Sequence, residues 1–337
     1  MMTILTKTFD RRTALGALAG FALIAGAAAI SGPAHAADVP ERITLDWAYY
    51  NPVSLVLKEQ GLLEQEFAKE GTEIRWVQSH GSNKAIEFLN AGSVDFGSTA
   101  GAAALLAHIN GAPIDAIYVY SKPEWTALVT AKDSPINTIA DLKGKRIAVT
   151  RGTDPHIFLI RALASAGLTE RDVKTVLLQH ADGGRALVRG DVDAWAGLDP
   201  MMASTQVDSG ARLFYRNADL NTYGFLNVRT AFAEEYPKAV ERVLATYETA
   251  RKWSIANPDK LAAILQKAAG VTEEVAKIQL GERTDLSNPV IGPIHIDAIT
   301  QAGVALQSAG VIAADVDVAK QTQDLIDTRF AASLPSN

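Results

Sequence analysis

The chain has 337 residues, is 48% hydrophobic and 21% charged, and carries a formal charge of −6; this composition allows two domains with sizeable cores and excludes disordered and fibrous classes. The acidic balance and the lack of a long Lys/Arg run argue against a nucleic-acid surface. With no cysteine there can be no disulfide, thiolate metal site or cysteine nucleophile, and the six histidines include no HxxxH pair, so neither a metal site nor a cofactor is expected.

Arg11 and Arg12 precede an apolar, Ala- and Gly-rich stretch from Ala14 to Ile30, and Ala34-His35-Ala36 fits a small-residue cleavage rule. Residues 1–36 therefore read as an export signal, twin-arginine in type, with the mature chain beginning at Ala37 in the periplasm. So many glycines and alanines would span a membrane poorly.

The mature chain opens with a strand over Ile43 to Trp47, then Tyr49-Tyr50-Asn51-Pro52 and an amphipathic helix from Val53 that stops at Gly61. A second strand, Thr72 to Val77, ends at Ser79-His80-Gly81-Ser82, and Ser82 is expected to cap the next helix. Val94 to Phe96 reads as a third strand, with Gly97-Ser98-Thr99-Ala100-Gly101 as the loop opening a further helix. Ile114 to Tyr120 is a fourth strand. Strands alternating with helices at this spacing mean a largely parallel α/β sheet. Ligands in such sheets lie beyond the C-terminal strand edges. Asn51, the Gly81-Ser82 pair and the Ser98-Thr99 pair stand in those loops, and they offer neutral donors rather than an acid–base pair.

The central stretch from Ser134 to Leu163 is the most informative. Ile147-Ala148-Val149 suits a buried strand, Gly152 and Thr153 break it, and Pro155 fits the first turn of the helix that follows. A strand, a glycine turn and a helix N-terminus together make an anion socket, to which Thr153 adds a hydroxyl. The other reading is an ordinary N-cap. The second module continues through strand Thr175 to Leu178, helix Gly183 to Arg189, strand Ala194 to Leu198 and a helix after Pro200. Its Val188-Arg189-Gly190-Asp191-Val192-Asp193-Ala194 echoes Asn90-Ala91-Gly92-Ser93-Val94-Asp95-Phe96 in the first, so two similar modules facing a cleft are expected. After Val228 the spacing is helical almost to the end, including Thr272 to Gly281, in a tail expected to pack on the first module.

Taken together, NTIADLKGKRIAV (137–149), GTDPHIFLIRALASAGL (152–168), GDVDAWAGLDP (190–200) and YNPVSLVLKEQG (50–61) resemble the periplasmic substrate-binding proteins of aliphatic sulfonate ABC importers, within the wider sulfonate, nitrate and taurine binding family. The resemblance covers roughly residues 41–330. It implies a type II periplasmic binding fold: two α/β lobes, residues 37–129 with 226–330 and residues 130–225, joined by strands crossing at Ala127 to Thr130 and Phe225 to Val228 and closing by a hinge. It also implies a monomer that hands a sulfonate to an inner-membrane ABC permease with its ATPase. Relatives hold the sulfonate through hydroxyls and main-chain N–H groups of loops matching Gly81-Ser82, Ser98-Thr99 and Gly152-Thr153, with His156 close behind. The first loop departs from the pattern, since Tyr49, Tyr50 and Asn51 stand where some relatives carry Gln and Gly-Ser.

Two carboxylates and two tryptophans each have two readings. Asp154 and Asp199 are either caps and dipole partners or contacts for a cationic amine on a zwitterionic ligand such as taurine. Trp125 and Trp195 are either core residues or the apolar wall that an alkyl tail requires. His156 and His80 read as structural polar residues, and Arg151 as a surface residue beside the socket. No catalytic residue is expected. The competing ligands on this fold are taurine, a sulfate ester or nitrate; the competing class, an enzyme of pyrimidine-precursor synthesis, relies on a cysteine that this chain lacks.

Overall fold

The computed structural model describes residues 39–330 and Leu334, so the expected export signal and cleavage site lie outside the described residues. The chain begins with β1 (Arg42–Trp47), α1 (Pro52–Gln60), α2 (Leu62–Glu66), β2 (Glu73–Gln78), α3 (Ser82–Asn90), β3 (Phe96–Ala100), α4 (Gly101–Ile109) and β4 (Ile114–Pro123). It continues with β5 (Leu128–Thr130), β6 (Arg146–Val149), α5 (Asp154–Ser165), β7 (Lys174–Leu177), α6 (His180–Arg189), β8 (Ala194–Ala196), α7 (Met201–Ser209) and β9 (Arg212–Tyr215). The last part holds β10 (Gly224–Arg229), α8 (Thr230–Glu235), α9 (Pro237–Ala256), α10 (Pro258–Ala269), α11 (Glu273–Lys277), β11 (Thr284–Asp285), α12 (Pro293–Ser308) and α13 (Val318–Leu325).

Two sheets form the lobes. The first has the order β11-β4-β10-β3-β1-β2, the second β7-β6-β8-β5-β9. β1 pairs parallel with β2 and β3, and β6 parallel with β7 and β8, as alternating strands and helices require. Each sheet also accepts one antiparallel strand that follows a crossing. β5 lies between β8 and β9, and β10 between β3 and β4. Leu128–Thr130 and Phe225–Val228 are thus paired inside the sheets, and the chain passes between sheets just before each, through 124–127 and 216–223.

The helix stops follow local chemistry. Gly61 adopts a left-handed φ of 61° and sends its N–H to Leu57 O, ending α1. The echoed Gly92 and Gly190 take φ of 65° and 78°. In the tail α9 packs on α1, and α12 and α13 pack on α4, while α12 also touches α5 of the second lobe. The helix expected over Thr272 to Gly281 changes instead into a π-helical turn over Ile278–Glu282. That turn brings Gln279 Nε2 to Tyr49 O at 2.7 Å and carries the chain to Arg283.

Candidate functional site

Three helices open toward the gap between the lobes with their first turns uncapped by any side chain. α3 starts after Gly81, α5 after Thr153 and α6 after Gln179. Ser82 is not the cap of α3; its Oγ accepts from Ala100 N at 3.0 Å and ties α3 to the end of β3. Thr153 Oγ1 donates to Thr150 O at 2.6 Å, which closes its own loop and leaves the N–H groups of α5 free of it. α6 begins at His180, three residues before the expected start at Gly183. The lobes meet closely here. A Cβ built on Gly152 would lie 3.9 Å from Asn83 Cβ, and one built on Gly81 would lie 2.8 Å from His180 Nε2.

The spaces along this seam include a wide groove of about 710 Å³ between Tyr49 and Gly270 on one side and Arg185 and Met201 on the other, and two spaces nearer the helix N-termini. One, of about 10 Å³, lies among Tyr50, Ser82, Trp125, Thr153, Asp154 and Leu198, room for about one water. A cavity of about 310 Å³ is lined from the first lobe by Tyr49, Tyr50, Ser79, His80 and Lys84. From the second lobe it is lined by residues 179–182, Asp199 and Met201. Tyr50 borders both spaces.

Beneath the first-lobe wall a polar cluster turns inward. Asp46 is fully buried and accepts from Ser79 Oγ at 2.5 Å, Ser98 Oγ at 2.7 Å and Ser98 N at 2.9 Å. Burial nonetheless pushes its carboxyl up to about 6. Asn51 Nδ2 donates to Ser98 Oγ, and Asn51 Oδ1 caps α1 through Ser54 N. Asn227 Nδ2 donates to Thr99 Oγ1. Ser98 and Thr99 lie within β3 rather than in a loop, and both are fully buried. Their side chains and that of Asn51 therefore serve the interior, and none of the three lines the cavity.

Of the two carboxylates singled out in the sequence, Asp154 holds the crossings together and Asp199 does not. Asp154, at the start of α5, accepts from Trp125 Nε1 at 2.8 Å in the first crossing and from Thr222 N and Oγ1 at 3.1 and 2.6 Å in the second. Thr222 Oγ1 in turn accepts from Ala102 N in the first turn of α4. Glu124 and Arg216 pair at 2.6 Å between the same two crossings. Burial raises the Asp154 carboxyl above its ordinary range. Asp199 caps α7 through Ala203 N at 2.9 Å and pairs with Arg283, and its carboxyl is pushed by burial up to about 6.

The aromatic and histidine candidates separate. Trp125 stacks edge-on with Tyr50 at 5.8 Å beside the small void. Trp195 is fully buried under α6, where Gly183 and Gly184 leave room for its ring, and does not reach the cavity. His156 Nε2 meets Glu170 Oε1 at 3.0 Å, away from the seam. Gln179, His180 and Arg283 stand at the seam in addition to the residues expected there from sequence. The first two follow a strand and open a helix, the same signal that marked Gly152-Thr153; Arg283 sits in the tail, where no local signal points to the seam. Among the described residues no group of three or more His, Asp or Glu is placed to hold a metal ion, and no helix is long and apolar enough to cross a membrane.

Two α/β lobes, each completed by one antiparallel strand after a crossing and enclosing a cavity at helix N-termini, define a type II periplasmic binding protein. The chain belongs to the NMT1/THI5-like family, whose model matches residues 65–261. An Escherichia coli (strain K12) protein named for aliphatic-sulfonate binding is 32% identical over 265 residues, 77% of this chain and 82% of that one. The alkanesulfonate-binding protein from Xanthomonas axonopodis pv. citri, solved bound to MOPS, superposes with a TM-score of 0.77 at 27% identity, covering 86% of this chain and 99% of that one. The periplasmic aliphatic sulphonate binding protein from Escherichia coli gives a TM-score of 0.71 at 28% identity, covering 84% and 92%.

Proposed function

We propose that this protein is a non-catalytic solute receptor of the periplasm that captures an aliphatic sulfonate between its lobes and delivers it to an inner-membrane ABC permease and its ATPase for sulfur acquisition. The residues on either side of the crossings at 124–127 and 216–223 move as two bodies. The division falls a few residues before the expected 129/130 and 225/226, because β5 is paired into the second sheet and β10 into the first. Residues 1–36 are removed on export. The observation that carries the reading is the convergence of three uncapped helix N-termini on one interlobe seam in a chain whose relatives are named for sulfonate binding.

A sulfonate is a tetrahedral monoanion at physiological pH with acceptor oxygens only. Main-chain N–H groups and the positive ends of helix dipoles match it without a buried cation. In this reading Gly81, Ser82, Gly152 and Thr153 contribute their backbone, and Tyr49, Tyr50 and Met201 give the tail its apolar wall. Closure around the anion is a hinge motion at the two crossings.

Thermal stabilisation of the purified mature chain across alkanesulfonates, taurine, sulfate, nitrate and phosphate tests this. A ligand at about a hundred times its dissociation constant adds about 2.7 kcal/mol to stability. Stabilisation by sulfonates and not by phosphate or nitrate supports the reading; stabilisation by nitrate or phosphate alone overturns it.

A further inference from the structure

The 310 Å³ cavity and the 710 Å³ groove share three wall residues, Tyr49 from the first lobe and Ala181 and Met201 from the second. The two spaces therefore join at these residues. Ala181 stands in the first turn of α6, and Met201 opens α7. Because β7 and β8 both run parallel to β6, the helices that follow them set out from the same sheet edge and lead away from the cavity side by side. The groove follows that course. On α6 its wall steps from Ala181 to Arg185 and Val188, and on α7 from Met201 to Thr205 and Asp208, spacings that keep one helical face in line. Seven residues of helix run for about 10 Å, the length of roughly eight methylenes in an extended alkyl chain.

The opposite wall is Ala269, Gly270 and Val271 at the end of α10. Ala269, Val271 and Tyr49 pack in one apolar cluster with Leu265 and Ala276, which anchors that wall in the first lobe. Tyr49 is fixed there by Gln279 and by an edge-on contact with Trp47 at 5.7 Å. The groove offers a ligand hydrocarbon. Val188, 57% exposed, stands in it with Pro200, Met201 and Val271. Its polar groups have partners of their own: the hydroxyls of Thr205 and Ser209 donate back to Met201 O and Thr205 O, and Arg185 and Arg189 pair with Asp182 and Asp191. The arginine stems add methylenes to the wall.

We infer that the groove along α6 and α7 is a tail subsite, entered past Tyr49, Ala181 and Met201, so that the receptor selects sulfonates with an unbranched alkyl tail of about eight carbons over short ones. This rests on the sulfonate reading above. With the sulfonate group held at the helix N-termini, only a tail longer than the cavity reaches the groove. Each further methylene buried there tightens binding about fourfold.

Titration calorimetry with the linear sulfonates from ethanesulfonate to decanesulfonate, each below its micellar concentration, reads the subsite. Affinity rises about a hundredfold from butanesulfonate to octanesulfonate and then levels off as the tail leaves the groove. Val188→Asp charges the groove wall and Ser204→Phe fills the groove; both positions line the groove and not the cavity. Each variant binds octanesulfonate about tenfold or more weakly and changes ethanesulfonate by less than about twofold. Melting curves of both variants confirm folding. Equal affinities along the wild-type series, or a chain-length gain undiminished in either folded variant, overturns the tail subsite and leaves the sulfonate reading in place. A loss shared equally by ethanesulfonate does the same. Failure of every sulfonate to bind overturns the sulfonate reading and this assignment with it.

Discussion

Arg283 Nη1 lies 3.1 Å from each carboxylate oxygen of Asp199, joining the segment before β11 to the turn after β8. Both side chains are buried, and Arg283 Nη2 reaches Gln206 Oε1 at 2.7 Å. The pair fastens the C-terminal segment beside the first crossing to the second lobe.

Arg283→Met leaves Asp199 buried without its partner, and is expected to lower stability by about 3–5 kcal/mol in urea unfolding. Adding Asp199→Leu removes the stranded charge and is expected to restore most of that loss. About 1 kcal/mol stays lost, because Asp199 also caps α7 through Ala203 N. A double variant as unstable as the single one would show that the pair is not the source of the effect.

Gly81→Ala tests the closed seam. Gly81 has a φ of 149°, and a Cβ there would stand 2.8 Å from both His180 Nε2 and Asn83 Oδ1. Backbone strain alone is expected to lower stability by about 1–3 kcal/mol. The clash with the opposite lobe is expected to weaken sulfonate binding at least about tenfold, roughly 1.4 kcal/mol. Small-angle scattering reads the cause: ligand shrinks the radius of gyration of the wild type and does so less in the variant. Full affinity in the variant would mean that the lobes do not close over this residue.

Thr153→Ala separates a structural hydroxyl from a ligand contact. The Thr153 proton is committed to Thr150 O at 2.6 Å, so its loss is expected to lower stability by about 0.5–1.5 kcal/mol. Affinity for sulfonates is expected to change by less than about threefold, since the substitution leaves the backbone of the α5 first turn as it was. Calorimetry and melts on the one variant check both outcomes; a loss of affinity near a hundredfold would place the hydroxyl on the ligand.

Two buried groups give stability opposite slopes with pH. His180 has its folded value lowered from 6.5 to about 3. Between those values the unfolded chain holds a proton that the folded one does not, so stability rises as pH climbs from about 3 to 6.5 and then levels off. Asp199 has its folded value raised from 3.8 to about 6. In that window the folded chain holds the extra proton, so its contribution falls as pH climbs from about 4 to 6. Each slope approaches ~1.4 kcal/mol per pH unit. Melts from pH 4 to 8 on the wild type, His180→Asn and Asp199→Asn isolate them: relative to the first variant the wild type gains with rising pH, and relative to the second it loses.

The sequence by itself determined the elements that local chemistry dictates. Gly61 and Gly190 end helices because a left-handed residue there satisfies the last carbonyls, and Pro155 opens α5 because its ring is already set for a first turn. The motifs around 50–61, 137–168 and 190–200 carried the family and the two-lobed fold. Tertiary structure decided which polar groups face the ligand. Gly97-Ser98-Thr99-Ala100 reads as a loop, because small residues carry no apolar signal, yet it is held as strand by pairing with β10 once the chain has returned from the second lobe. Ser98 then turns to Asp46 and Thr99 to Asn227, partners far away in sequence. The tautomer of His180 is set the same way. Its Nδ1 carries the proton because Thr150, at the end of the neighbouring strand, spends its only proton on Leu178, a constraint that exists only when two separate stretches of chain are brought within hydrogen-bonding distance.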